Sequence, residues 1–153
     1  MELRQSIAEL IYRSCMALDA RDFTGFLGLC DPAFHYAITT YSPEIHKDMT
    51  WLEHDHAGMK MLFANLPKHN SDQSLLTRHV TVYVTETQAG GTTAKVTSGL
   101  QVFRTTQDGG TTELFAVGKM HDIVQLGESG PTLLDRNVRL DTRMLGFGTH
   151  LPF

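Results

Sequence analysis

Asp31, His35, Tyr36, Tyr41, His79, His121 and Asp141 are the residues of this chain that could carry general acid-base chemistry. A histidine titrates near neutrality, so a His-Asp pair suffices to take a proton from a carbon or oxygen acid and return it. No spacing ties any two of these residues together, and eight histidines in 153 residues produce candidates by chance. His79 and His121 stand among Thr81, Tyr83 and Lys119, which points to a polar, partly exposed face. A second cluster is His54-Asp55-His56 with His46 nearby, because two histidines and a carboxylate can hold iron as a facial triad. Read on a helix, positions two apart diverge by about 200°, so His54 and His56 do not converge on one ion. The plainer reading puts His56 on an apolar stripe and His54 in solvent. Cys15 and Cys30 fall in segments that read as helices and suit free, buried thiols better than a disulfide.

Two features point to association instead. Asp135, Asn137, Arg139, Asp141 and Arg143 alternate along the last strand-like segment and therefore share one face as a ladder of mixed charge. Such a row sets register against a charged partner more than it adds affinity, and the competing reading is a solvated face with cross-strand pairs. The ending carries Phe147, Leu151 and Phe153 where chain ends are usually polar and frayed. Each contributes roughly 1.5 to 3 kcal/mol when buried, against its own domain or a neighbour.

The elements that must position these residues are legible from periodicity. Leu3, Ile7, Leu10, Ile11, Ser14 and Leu18 make one stripe of a helix ending near Ala20. Asp22 reads as the N-cap of a short helix through Phe23, Phe26, Leu27 and Cys30, stopped by Pro32. Thr50 and Glu53 have the capping-box pattern for a third helix carrying Leu52, His56, Met59, Leu62, Phe63 and Leu66 up to Pro67, with a short strand before it. From Arg78 onward the period changes to 2, with turns at Ala89-Gly90-Gly91, Asp108-Gly109-Gly110 and Gly127 to Gly130. Turns that short force neighbouring strands into an antiparallel meander. Helices first and strands after define an α+β class, in a single domain over residues 1–153.

Composition narrows the function classes. A net charge of −4 without a basic block lacks the electrostatic footprint of nucleic-acid binding. No apolar run approaches the roughly 20 residues needed to cross a bilayer, so a soluble, cytoplasmic protein is expected.

The segment LIYRSCMALDARDFTGFLGLCDPAFHY, followed in order by LTRHVTV, SGLQVFRT, FAVGKMHDIV and DRNVRLDTRML, resembles the small (β) subunits of ring-hydroxylating Rieske non-haem iron oxygenases. YSPEIHKDMTWLEHDHAGM and LGFGTHLPF look closest to the methanesulfonate-oxidising branch of that family. The resemblance implies the NTF2-like cone, in which N-terminal helices pack on a strongly curved antiparallel sheet. It implies a non-catalytic scaffold that trimerises, in an α3β3 assembly, and holds large subunits in register. The large (α) subunit would carry the Rieske [2Fe-2S] cluster and the mononuclear iron. A reductase and ferredoxin would deliver electrons from NADH, and in the methanesulfonate branch the products are sulfite and formaldehyde. A Rieske centre uses Cys-x-His and Cys-x-x-His, whereas Ala17 follows Cys15 by two and Pro32 follows Cys30 by two, so no cofactor or metal is expected in this chain. The same cone also houses isomerases, dehydratases and small-molecule binding proteins. Under that alternative Asp31, His35, Tyr41, His79 and His121 become the catalytic candidates.

Overall fold

Residues 2–69, 74–143 and 153 are described in this computed structural model of the chain; for 67–69 the backbone alone is described. The helices are α1 (Leu3–Asp19), α2 (Phe23–Gly28) and α3 (His56–His69). The strands are β1 (Cys30–Ser42), β2 (Lys47–Asp55), β3 (Leu75–Thr87), β4 (Thr93–Thr105), β5 (Thr112–Gly127) and β6 (Gly130–Leu140). They form one six-stranded sheet in the order β2-β1-β6-β5-β4-β3, antiparallel throughout except that β1 runs parallel to β6.

The stripe on α1 is real: Ile7, Leu10, Ile11, Ser14, Cys15 and Leu18 are buried, while Leu3, the first residue of the helix, is exposed. Asp22 caps α2 as its position suggests, its carboxylate accepting from the Gly25 amide at 2.9 Å. The meander of β3 to β6 also follows the turn signals.

Four boundary expectations fail. Cys30 opens β1 instead of closing α2, Pro32 lies inside β1, and Thr50 with Glu53 belongs to β2 instead of a capping box. The expected short strand is a 13-residue strand, hairpinned to a second one through residues 43–46, with His46 in the left-handed region at φ 51°. Once β1 has joined β6 its other edge still carries unpaired backbone groups, and residues 47–55 satisfy them. Local capping signals cannot compete with that ladder. The true cap of α3 is Asp55, which accepts from the Gly58 amide at 2.8 Å. Pro32 is tolerated because it falls where the β1–β6 register is interrupted, between Cys30 and His35. Helix α3 runs through Pro67 to His69, so the proline sits in its last turn instead of ending it.

All three helices pack on one face of the sheet. On that face lie Tyr36 and Ile38 of β1, Val96, Leu100 and Val102 of β4, Ala116, Met120 and Val124 of β5, and Val138 and Leu140 of β6. The alternation of strand side chains sends their neighbours to the opposite, outer face.

Candidate functional site

The two faces divide the candidate residues. His35 lies on the outer face in register with Asp135, and its ring bridges two carboxylates: Nδ1 is 3.0 Å from Asp135 Oδ1 and Nε2 is 2.9 Å from Glu53 Oε2. Tyr41 is exposed, with its hydroxyl 3.5 Å from His46 Nδ1. His79 is exposed, its ring set edge-on to Phe103 at 5.1 Å between centroids. His121 is half-buried opposite Asn137 and Thr97. Burial, reinforced by Lys95, Lys119 and Arg139, holds its pKa below the usual histidine value against the pull of Asp122. Asp31 spends its carboxylate on the Ala33 amide at 2.9 Å. Among the described residues Asp31, His35, Tyr41 and His121 do not line one cavity together.

The charge ladder is folded into the chain's own outer face. Asp135 pairs with His35, Asn137 Oδ1 accepts from Thr39 Oγ1 at 2.9 Å, and Arg139 donates to Asp48 at 2.6 Å. That bond lowers the Asp48 pKa and raises that of Arg139. Asp141 and Arg143 lie beyond the end of β6; Arg143 Nη1 donates to both Glu44 oxygens, at 2.8 and 2.6 Å. Phe147 and Leu151 fall outside the described residues. Phe153 is buried within this same domain: its amide donates to the Tyr36 hydroxyl at 2.6 Å, and its carbonyl accepts from that hydroxyl at 2.8 Å. Burial, only partly opposed by Arg136 and the Phe153 bond, raises the Tyr36 phenol above its ordinary value.

The helix-facing side holds what the sequence search passed over. Arg136 and Asp122 are fully buried and paired, Nε to Oδ1 at 2.8 Å and Nη2 to Oδ2 at 3.3 Å, and Nη2 also donates to Ser14 Oγ of α1 at 2.8 Å. Burial opposes the Arg136 charge, but Asp122 restores it and carries the guanidinium above its ordinary range. A second pair, Arg78 to Asp19 at 2.7 Å, ties β3 to α1, and the Arg78 amide donates to the same carboxylate at 3.1 Å. The signal was present. Asp122 alternates with Met120 and Val124, Arg136 with Val138 and Leu140, and Arg78 with Val80 and Val82, so each is a charge at an apolar-face position.

A cavity of about 580 Å³ opens between α1 and β3 to β5, with Tyr12, Cys15, Asp19, Arg78 and Leu100 on its walls. His79 and Asp141 border it, but the His79 ring turns to Phe103 and the internal ion pair engages Asp19. No His/Cys/Asp/Glu group among the described residues could hold a metal. His54 and His56 do not share a helix, since His54 is the second-last residue of β2 and His56 opens α3. Cys15 and Cys30 are free buried thiols; burial raises both, Cys30 to about 12. Thiols so disfavoured as thiolates, without partner histidines among the described residues, do not fit an iron-sulfur centre. No helix among the described residues is long and apolar enough to cross a membrane.

Helices covering one face of a curved, mostly antiparallel sheet, with an occupied core and a polar outer face, place the protein in the NTF2-like α+β class. The chain belongs to the family described as ring hydroxylating beta subunit, which matches residues 13–146. It is a small, structural subunit of an oxygenase. It is 37% identical to the methanesulfonate monooxygenase hydroxylase subunit beta of Methylosulfonomonas methylovora, over 96% of this chain and 85% of that protein. It is 33% identical to the 2-aminobenzenesulfonate 2,3-dioxygenase subunit beta of an Alcaligenes species, over 96% of this chain and 97% of that protein. In fold it is similar to a chain of naphthalene 1,2-dioxygenase, with a TM-score of 0.79 and 16% identity, covering 97% of this chain and 84% of that one.

Proposed function

We propose that this subunit trimerises in the cytoplasm and holds three large subunits in an α3β3 oxygenase whose substrate is a small sulfonate, with methanesulfonate the first candidate. The large subunit would carry the Rieske [2Fe-2S] cluster and the mononuclear iron. A reductase and a ferredoxin would feed it electrons from NADH, and O2 would hydroxylate the carbon bearing the sulfonate, giving sulfite and formaldehyde from methanesulfonate. The role of this chain would be geometric. Electron transfer from one large subunit's cluster to the next one's iron depends on their spacing, which a scaffold locked by buried ion pairs holds well.

The observation that carries the scaffold reading is the separation of the two faces: the buried charges and Phe153 on the helix-facing side are partnered within the domain, and His35, Tyr41, His79 and His121 stand apart from one another on the outer face. Sulfonate chemistry is supported by both curated relatives, each named for a sulfonate substrate. Co-expression with the large subunit, followed by light scattering, iron and acid-labile sulfide assays, tests the assembly. A brown complex of three plus three chains that loses all metal when the small chain is isolated is expected. Substrate-dependent O2 uptake with methanesulfonate and with 2-aminobenzenesulfonate then decides between the two. A colourless, partner-free oligomer would overturn the reading.

A further inference from the structure

A groove of about 550 Å³ runs between α2 and α3, well away from the buried ion pairs. That volume lies within the range of ligand pockets, roughly 300 to 1,000 Å³. Helical spacing builds both walls. Phe23 and Leu27, one turn apart, and Gly28 come from α2, while His56, Lys60, Phe63 and Ala64, at positions i, i+4, i+7 and i+8, come from one face of α3. The apolar part is held in place by ring contacts: Phe23 and Phe63 stack at 4.3 Å between centroids and 6° between planes, and Phe63 meets the buried Phe26 edge-on at 6.0 Å. Small residues keep the groove open. A Cβ placed on Gly28 would meet nothing within 4 Å, and Ala64 is exposed on the facing helix. The charge of the groove is one-sided. The chain carries a net charge of −4, yet the ionisable side chains that line this groove are Lys60 and His56, with no carboxylate among the described lining residues. Lys60 is exposed and forms no ion pair among the described residues.

We propose that this groove binds an amphiphilic organic anion, its apolar body laid against Phe23, Leu27 and Phe63 and its carboxylate or sulfonate head held by Lys60 and His56. Covering the partly buried Phe23 and Leu27 with an apolar body removes their remaining surface from water, which drives binding. The Lys60 ammonium then selects the head group. An anion gains a charge-assisted hydrogen bond there, a neutral apolar molecule would take water from the ammonium without replacing it, and a cation would be repelled. His56, one turn before Lys60, adds a ring N–H donor at the same end. The site needs no residue beyond this chain, so it stands or falls independently of the assembly proposed above.

The test titrates the full chain, alone and copurified with its large subunit, by isothermal calorimetry. The probes are 2-naphthalenesulfonate, 2-naphthoate and, as the cationic counterpart, 2-naphthylmethylammonium. Both anions should bind once per chain and the ammonium should not, and the tighter anion identifies the head group. Lys60→Glu should weaken anion binding ~10-fold or more, the loss of one hydrogen bond to a charged group. Gly28→Leu should fill the groove and abolish binding with the circular dichroism unchanged, and Ala64→Leu fills it from the facing helix should Gly28→Leu misfold. In the complex only the binding that Gly28→Leu removes is counted. No binding of either anion, equal binding of the ammonium, or binding that Lys60→Glu and the groove-filling variants leave unchanged would overturn the site. Binding to the free chain that disappears in the complex would overturn it too, and would give the groove to the large subunit.

Discussion

Arg136 and Asp122 are directly opposite one another on β6 and β5 and share a two-point ion pair at zero exposure, while their neighbours Asp135 and His121 face outward. One residue along either strand separates a charge that organises the interior from one available to a partner. The pair also reaches α1 through Ser14, so it joins the helical layer to the sheet at the centre of the domain.

Breaking that pair from one side strands a buried charge. Asp122→Asn or Arg136→Met should each destabilise the domain by about 3 to 5 kcal/mol. Replacing both with apolar residues of similar volume should recover most of the loss. Denaturant unfolding of the single and double variants checks this, and additive losses would contradict it.

Tyr36 holds Phe153 by two bonds through one hydroxyl. In Tyr36→Phe the ring still fills its place, but the buried amide and carbonyl of Phe153 lose their partner. A loss of about 1 to 3 kcal/mol is expected. The melting temperature should fall accordingly, with no change in the far-ultraviolet spectrum.

Gly118 sits where β5 and β6 approach too closely for a side chain: a Cβ there would lie 2.2 Å from the Arg139 carbonyl oxygen and 2.8 Å from the Leu140 Cα. Both are backbone atoms of a paired strand and cannot rotate away. Gly118→Ala should therefore cost about 1 to 3 kcal/mol by forcing the strands apart. Hydrogen exchange should localise the loosening to the β5–β6 ladder.

Glu44 titrates low because Arg143 donates to both of its oxygens, with its own amide and Ser42 adding to the effect, and its pKa lies at about 2 instead of 4.5. A depressed carboxylate stabilises the fold above its unfolded pKa and loses that contribution as pH falls through the folded one. The window for Glu44 is therefore from about 4.5 down to about 2. Carboxyl carbon shifts should give a midpoint near the lower value, moving up in Arg143→Ala.

If the chemistry resides in the large subunit, alanine at His35, His79 or His121 should leave turnover of the assembled complex within tenfold of the unsubstituted enzyme. Loss of a general acid or base costs typically 10²- to 10⁴-fold. A loss of that size in kcat, with assembly intact by light scattering, would return catalysis to this chain.

The sequence by itself determined the class, the buried stripe of α1, the Asp22 cap, the meander of β3 to β6 and the family, because periodicity, capping and turn chemistry act over a few residues and survive without knowledge of the fold. Tertiary structure decided the rest. The local pattern at Thr50 and Glu53 was overridden because β1 had an open edge and residues 47–55 pair with it. The acid-base candidates were separated by strand parity relative to helices distant in sequence. Asp122 and Arg136 are apart by 14 positions, and Ser14 lies 122 positions from Arg136, so their union depends on a register that no local signal encodes. Parity marked them as charges on an apolar face; only the closed sheet made them partners.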